Sequence, residues 1–289
     1  MVTHVDDGGQ RMITAREFSA FQELVFRNAG IALGDAKRQL LVGRLSRRLR
    51  ELELPSFGAY YDLIIQEGGE GELVRCLDLI CTNETRFFRE PSHFDFLEQR
   101  VFPAWRAEAE AGNRPRRVRA WSAACSTGQE PYTLGMLLLA HFPADDGWTT
   151  EVVATDLSTK ALRIATNATY PIEKAAEIPS HHLKRFMLRG TGVEAGTMRA
   201  CPELRGIMRF SRLNLNDESP YAVGEPFDLV FCRNVMIYFT PEGRARVTDR
   251  LLRHVGPDGY FFVGHAESLH GHRHAVRTVI PTVYTKHAG

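Results

Sequence analysis

Val118-Arg119-Ala120-Trp121-Ser122-Ala123-Ala124-Cys125-Ser126-Thr127-Gly128-Gln129-Glu130-Pro131 is the stretch on which the fold turns. A short apolar run, Val118 to Ala124, ends in small residues that let a ligand approach the backbone, and Pro131 suits the first turn of a following helix. Strand, loop and helix in that order open a crossover unit of a parallel sheet, whose ligands bind outside the carboxyl ends of the strands. The loop lacks the Gly-x-Gly-x-x-Gly spacing of a dinucleotide site. Glu130 would place a carboxylate in the first helical turn, where it repels a pyrophosphate and attracts a cation, or else simply complements the helix dipole.

The same alternation continues downstream. Glu151 to Thr155 precedes a helix from Ser158, Phe227 to Cys232 precedes a helix from Pro241, and Tyr260 to Gly264 follows. This pattern predicts a mainly parallel sheet covered on both faces, with Thr278 to Thr285 as an edge strand that tolerates Pro281. The Gly-containing stretch Leu188 to Leu213 reads as a hairpin-like insertion, about 188–213. Upstream, apolar residues recur at three- and four-residue spacing (Phe18, Phe21, Leu24, Val25; Leu41, Leu45, Leu49, Leu52), which predicts a helical domain over 14–106. Ala107 to Arg117 breaks the period and reads as a linker, leaving 118–289 for the sheet domain.

Composition narrows the function. The 289 residues are 44% hydrophobic and 25% charged, ordinary for a globular protein. Lysine plus arginine (36) balances aspartate plus glutamate (35), so no broad basic field invites nucleic acid. The polar first residues lack a secretory core, and no run approaches the length of a membrane span, so a cytoplasmic protein is expected. Five scattered cysteines suggest neither a disulfide framework nor a zinc knuckle.

Three further segments carry polar residues where a sheet presents ligands. Asp156 ends the second strand, where a carboxylate accepts from ribose hydroxyls or caps the next helix. Arg233-Asn234 ends the strand Phe227 to Cys232 ahead of aromatics; it either binds ligand or satisfies strand-end backbone groups. Thr82-Asn83-Glu84-Thr85-Arg86-Phe87-Phe88-Arg89-Glu90 lies where the helical domain meets the sheet, and Arg89 either orients a carboxylate or forms a surface ion pair.

Together with Trp121 to Tyr132, Phe231-Cys232-Arg233-Asn234-Val235-Met236-Ile237-Tyr238-Phe239 and Gly264-His265-Ala266-Glu267-Ser268, that last segment resembles the CheR methyltransferases over about Phe18 to Lys286. The resemblance implies a Rossmann-like class I methyltransferase sheet with an N-terminal all-α domain and a small inserted β-subdomain. It implies S-adenosylmethionine as cofactor, S-adenosylhomocysteine as product and no metal. By resemblance Asn83, Thr85, Arg89, Glu130, Asp156, Asn214, Leu215, Arg233 and Asn234 fall at cofactor positions, while Arg89 and Tyr238 face the methyl group and substrate. The implied reaction is attack of a chemotaxis-receptor glutamate on the methyl group, giving a γ-glutamyl methyl ester and supporting sensory adaptation. Gln129, where an acidic residue is frequent, and Ala266, in place of a more usual serine, depart from the family pattern.

Lys37, Arg44, Arg47 and Arg48 fall on one broad face of a helix candidate from Lys37 to Leu54, which is a solvated face or, by resemblance, a surface for glutamate-rich receptor helices. Arg189, Gly190 and Gly192 begin the hairpin, which is a plain surface turn or, by resemblance, a dock for a receptor's C-terminal peptide. A monomer recruited to membrane receptor arrays is the implied organisation. His270, His272 and His274 read as an exposed loop rather than a metal site, and no hydrolase motif is present.

Overall fold

A computed structural model describes residues 12–272 and 274–287. The chain begins with four helices, α1 (Ala15–Ala29), α2 (Arg38–Glu51), α3 (Phe57–Ile65) and α4 (Glu70–Ile80). Thr14 starts α1 with a capping box: its hydroxyl accepts from Glu17 N, while the Glu17 carboxylate accepts from Thr14 N. The bundle owns its core, in which Phe18, Phe21, Leu41, Leu45, Leu49, Phe57 and Tyr60 are buried.

After a crossing segment come α5 (Ser92–Phe96) and α6 (Phe102–Glu110), then β1 (Arg117–Ala123), α7 (Gln129–His141), β2 (Thr149–Asp156), α8 (Thr159–Asn167), β3 (Thr169–Pro171), α9 (Ser180–Phe186), β4 (Met187–Arg189), β5 (Thr197–Ala200), α10 (Pro202–Gly206), β6 (Met208–Arg212), β7 (Phe227–Cys232), α11 (Pro241–Arg253), β8 (Val255–Val263), β9 (Val276–Ile280) and β10 (Val283–Lys286). The main sheet has the order β6-β2-β1-β7-β8-β10-β9. From β6 to β8 every pairing is parallel, and β10 runs antiparallel to both its neighbours. Strand order reverses at β1, which puts the ligand crevice at the carboxyl ends of β1, β2 and β7.

Alternation along the strands sends side chains into two cores. Trp121, Ala123, Val230 and Phe261 pack with Val247 and Leu251 of α11, whereas Val118, Ala120, Leu229 and Phe262 pack with Phe102, Trp105, Leu134 and Leu138 of α6 and α7. Both faces are therefore dry, as apolar runs without polar alternation require.

Four expectations are corrected by this packing. Helices α5 and α6 bury Phe94, Leu97, Phe102 and Trp105 against the sheet, so the 92–106 part of the expected helical domain belongs to the sheet's core. Helical periodicity cannot say which core a helix serves. The linker expected over 107–117 is shorter, because α6 runs to Glu110 and β1 starts at Arg117. The expected insertion, 188–213, is displaced: its three-stranded sheet is β3-β5-β4, and Met208–Arg212 pairs in parallel with β2 as an edge of the main sheet. That strand is mostly exposed and polar, so no apolar run announces it. Finally, Thr278 to Thr285 is a hairpin, with Pro281 in the turn and Thr282 in the left-handed region (φ +65°).

Candidate active site

The segment Cys81 to Glu90 crosses from the bundle to the sheet and meets the loops after β1, β2, β6 and β7 around one cleft open to solvent. Asn83, Thr85, Arg89, Glu130, Asp156, Asn214, Leu215, Arg233, Asn234 and Tyr238 line this one space, with Ile31, Leu33 and Lys37 of the bundle opposite the sheet. The bundle is tied down across the cleft. Ala32 N donates to Tyr238 O at 2.8 Å, Asn214 Nδ2 donates to Asn28 O at 2.6 Å, and Thr159 Oγ1 donates to Asp78 at 2.6 Å.

The cradle loops are strained. Of eight non-glycine residues with positive φ among the described residues, Phe88, Glu90, Ala124, Ser126 and Asn234 lie in these loops, which places the stored strain at the site. Gly128, at φ +97°, has no room for a side chain, since a Cβ would lie 2.8 Å from both Ala165 Cβ and Tyr170 Oη. Gln129 is buried and accepts from the Thr127 hydroxyl at 2.7 Å, so here an amide can serve where the family often has an acid.

Asp156 clasps two loops rather than capping a helix. Its carboxylate accepts from Ser126 N at 2.7 Å and Ser158 N at 2.8 Å, while Ser158 itself caps α8 by accepting from Ala161 N. Burial pushes the Asp156 carboxyl above its usual range, against the pull of those backbone donors.

At the centre sits Arg233, whose side chain is 2% exposed. Its Nη2 and Nε donate to Glu90 Oε2 at 2.9 and 3.2 Å, its Nη1 donates to Glu130 Oε2 at 3.2 Å, and Nη2 also donates to Arg89 O. Ser122 Oγ donates to the other Glu130 oxygen at 2.7 Å. Burial would raise Glu90, but Arg233, His265 N–H and Asn234 outweigh it and hold that carboxyl below its ordinary value. For Glu130 burial wins and pushes the carboxyl up despite Arg233 and Ser122. Two carboxylates thus share one guanidinium, and Glu130, on the cleft wall, is left incompletely compensated.

Two acids do work that sequence reading gave no role. Glu90 joins Arg233 and Asn234 to the crossing segment. Glu267, buried, accepts from Asn234 N, Met236 N and Gly264 N at 2.8, 2.7 and 2.7 Å and so shapes the loop after β7. Both stand inside the quoted motifs, which was the only available signal.

Arg89 lines the cleft and donates to Glu84 O at 3.2 Å, leaving other guanidinium N–H groups for a ligand. The Lys37 ammonium lies 4.8 Å from the centre of the Tyr238 ring. The four basic residues expected on one free face separate. Arg44 faces α4, donating to Ile80 O and, at 3.0 Å, to Thr82 Oγ1; Arg48, four residues on, donates to Glu72 of α4. Arg47 is exposed and paired with Glu51. The helix side bearing 44 and 48 is the packed one, which leaves Lys37 at the cleft and Arg47 in solvent. Arg189 is exposed at the end of β4, and Gly190 N donates to Thr197 O at 2.9 Å in the hairpin. A Cβ on Gly190 would fall 2.1 Å from Glu194 O, so the turn requires glycine, while Gly192 extends the same loop in a short 3-10 turn. The expectation for the histidine loop holds at exposed His274 but not at His272, which is buried against Asp249 at 3.3 Å; the side chain of His270 lies outside the described residues.

Comparison with known proteins now bears on this geometry. Residues 16–81 match the CheR methyltransferase all-alpha domain, and residues 83–285 match the CheR methyltransferase SAM binding domain. The chain belongs to the CheR family. A chemotaxis protein methyltransferase 2 of Pseudomonas aeruginosa is 39% identical over 94% of this chain and 93% of its own length. The chemotaxis protein methyltransferase of Escherichia coli is 37% identical over 87% of this chain and 84% of its own, and that of Borreliella burgdorferi 31% over 95% of each. This CheR protein is therefore an S-adenosylmethionine-dependent methyltransferase.

The cleft suits that cofactor on its own chemistry. Glu130 offers an undercompensated carboxylate to a cationic amino acid end, Asp156 stands at the strand end where ribose hydroxyls are accepted, and Leu157, Leu213 and Leu215 add apolar wall for a base.

Proposed function

We propose that this CheR protein methylates glutamate side chains of chemotaxis receptors to γ-glutamyl methyl esters, as the cytoplasmic adaptation enzyme of receptor arrays. The single observation that carries the reading is that the Glu130 carboxylate shares one cleft with Arg89, Lys37 and Tyr238. S-adenosylmethionine, when bound, supplies the methyl group on a positively charged sulfur.

The chain's residues divide the remaining tasks. Asn83, Thr85, Glu130, Asp156, Asn214, Leu215, Arg233 and Asn234 hold the cofactor, Arg233 by fixing Glu130 and Glu90 rather than by reaching outward. Arg89 orients the incoming carboxylate with its free N–H groups, and Tyr238 offers a hydroxyl whose ring Lys37 steadies. A glutamate is already ionised at neutral pH, so no general base is needed and none has to be found. Positioning and exclusion of water by Phe94, Val235 and Phe239 are what the cleft provides, an effect worth on the order of 7 to 11 kcal/mol when geometry is held.

Lys37 and Arg47, with Arg44 and Arg48 supporting the helix from within, favour an acidic receptor helix at the cleft mouth. The open edge of β4, with exposed Leu188 and Arg189 and the loop through Gly190 and Gly192, is suited to a receptor's C-terminal peptide added as a strand. The protein acts in this reading as a monomer without a catalytic metal.

Labelled S-adenosylmethionine incubated with purified receptor, with and without its C-terminal tail, should give base-labile methyl esters. Arg89→Ala should lower turnover about 100-fold, near 2.7 kcal/mol of transition-state stabilisation, with a smaller change in S-adenosylhomocysteine affinity. Label that resists mild base would point to a different acceptor and sink the reading.

A further inference from the structure

Beside Arg233 lies a cluster, Glu90, His93 and His265, whose two histidine side chains have no task in methyl transfer. His93 of α5 is wholly buried. Its Nε2 is 2.7 Å from Thr282 Oγ1, and that hydroxyl gives its only proton to Pro281 O at 2.6 Å. Thr282 can then only accept, so His93 carries its proton on Nε2 and presents a bare lone pair at Nδ1. Among the described residues the buried Nδ1 has no hydrogen-bond partner, and it faces Glu90 Oε2 at 3.7 Å. His265 Nε2 approaches the same oxygen at 3.9 Å, and Ser92 Oγ lies 3.4 Å from that ring nitrogen. All three ligand atoms fall within 4.8 Å of one another.

A lone pair aimed at a carboxylate oxygen 3.7 Å away calls for a cation. We propose that Glu90, His93 and His265 form a three-ligand site for a zinc-class divalent ion, with a fourth position left to water. Two neutral imidazoles and one carboxylate are the donor set such ions prefer, and the Thr282 contact fixes the His93 ring as an outer partner does in zinc proteins. Bonds of about 2 Å at tetrahedral angles put ligand atoms roughly 3.3 Å apart, so each histidine closes on Glu90 by roughly half an ångström and the two ring nitrogens, within 4.8 Å of each other, close by up to roughly 1.5 Å. The His265 side chain, 55% exposed, supplies both that movement and the entry path.

Occupancy has a consequence for the cleft. The metal would bind the same Glu90 oxygen that accepts from Arg233 Nη2 and Nε, so the guanidinium is freed to compensate Glu130 more fully. The ion thereby weakens the hold on a cationic cofactor. This second half rests on the cofactor reading above; the site itself does not.

Zinc chloride titrated calorimetrically into the full chain should show a single tight site that His265→Gln weakens by at least about 30-fold, while the variant keeps its metal-free methyl transfer. Zinc should lower S-adenosylhomocysteine affinity about tenfold in the unaltered protein and leave His265→Gln unaffected. Equal zinc binding by both proteins, or none, overturns the site, a bridging water being then the occupant. Zinc bound at the site with unchanged cofactor affinity overturns the coupling alone. Failure of S-adenosylhomocysteine to bind the metal-free protein would instead remove the cofactor reading, leaving the zinc titration to stand by itself.

Discussion

Arg48 in the helical bundle donates to both oxygens of Glu72, at 2.8 and 2.6 Å, while Glu72 also accepts from the Tyr60 hydroxyl and Arg47 and Arg48 share Glu51. Arg233 at the sheet is the guanidinium that pairs with both Glu90 and Glu130. In the bundle two guanidinium groups meet two carboxylates, and Glu72 is held below its ordinary pKa, chiefly by Arg48. At the cleft one guanidinium meets two carboxylates, and burial leaves Glu130 raised. A balanced cluster stabilises a fold; an unbalanced one, kept open to a cleft, is completed by a ligand of the missing sign.

That contrast can be broken most forcefully at Arg233. Arg233→Met leaves two neighbouring, mostly buried carboxylates without their shared ion-pair partner and should cost about 3 to 5 kcal/mol in urea denaturation, together with cofactor binding. The sharper comparison pairs two neutralisations of opposite expected sign. Glu72→Gln should lower the unfolding free energy by about 1 to 3 kcal/mol, because it discards charge-assisted bonds. Glu130→Gln should raise it in the ligand-free protein by about 1 kcal/mol at neutral pH, since a carboxyl whose folded pKa is raised contributes stability only in its protonated form, and that is lost as pH rises through it. Equal signs would erase the distinction drawn here. At the small end, Arg47→Ala removes an exposed pair and should leave the denaturation midpoint unchanged within error while slowing receptor methylation modestly at low salt.

How much of this was readable beforehand follows from the range of the forces involved. Strand β7, the Ser158 cap of α8 and the Pro241 start of α11 are local events, and local sequence announces them. Strand β6 is a polar edge whose partner β2 lies some fifty residues back, so nothing near it marks it as sheet. At the site, the charge logic of Glu130 was legible from its place in the first helical turn. The larger set of cofactor positions came through resemblance, and the compensation by Arg233 did not appear at all, because residues 130 and 233 meet only in three dimensions. Glu267 has the same history: three backbone N–H groups, two of them about thirty residues upstream, define its purpose.

The undercompensated carboxylate is tested most directly by titrating S-adenosylhomocysteine calorimetrically into the unaltered protein and into Glu130→Gln at a series of pH values. Binding of an ammonium favours ionised Glu130, so affinity in the unaltered protein should climb as pH rises through the raised carboxyl pKa and then level off, while the variant binds about tenfold more weakly, near 1.4 kcal/mol, and lacks that rise. Equal affinity and superimposable pH profiles for the two proteins would contradict the account.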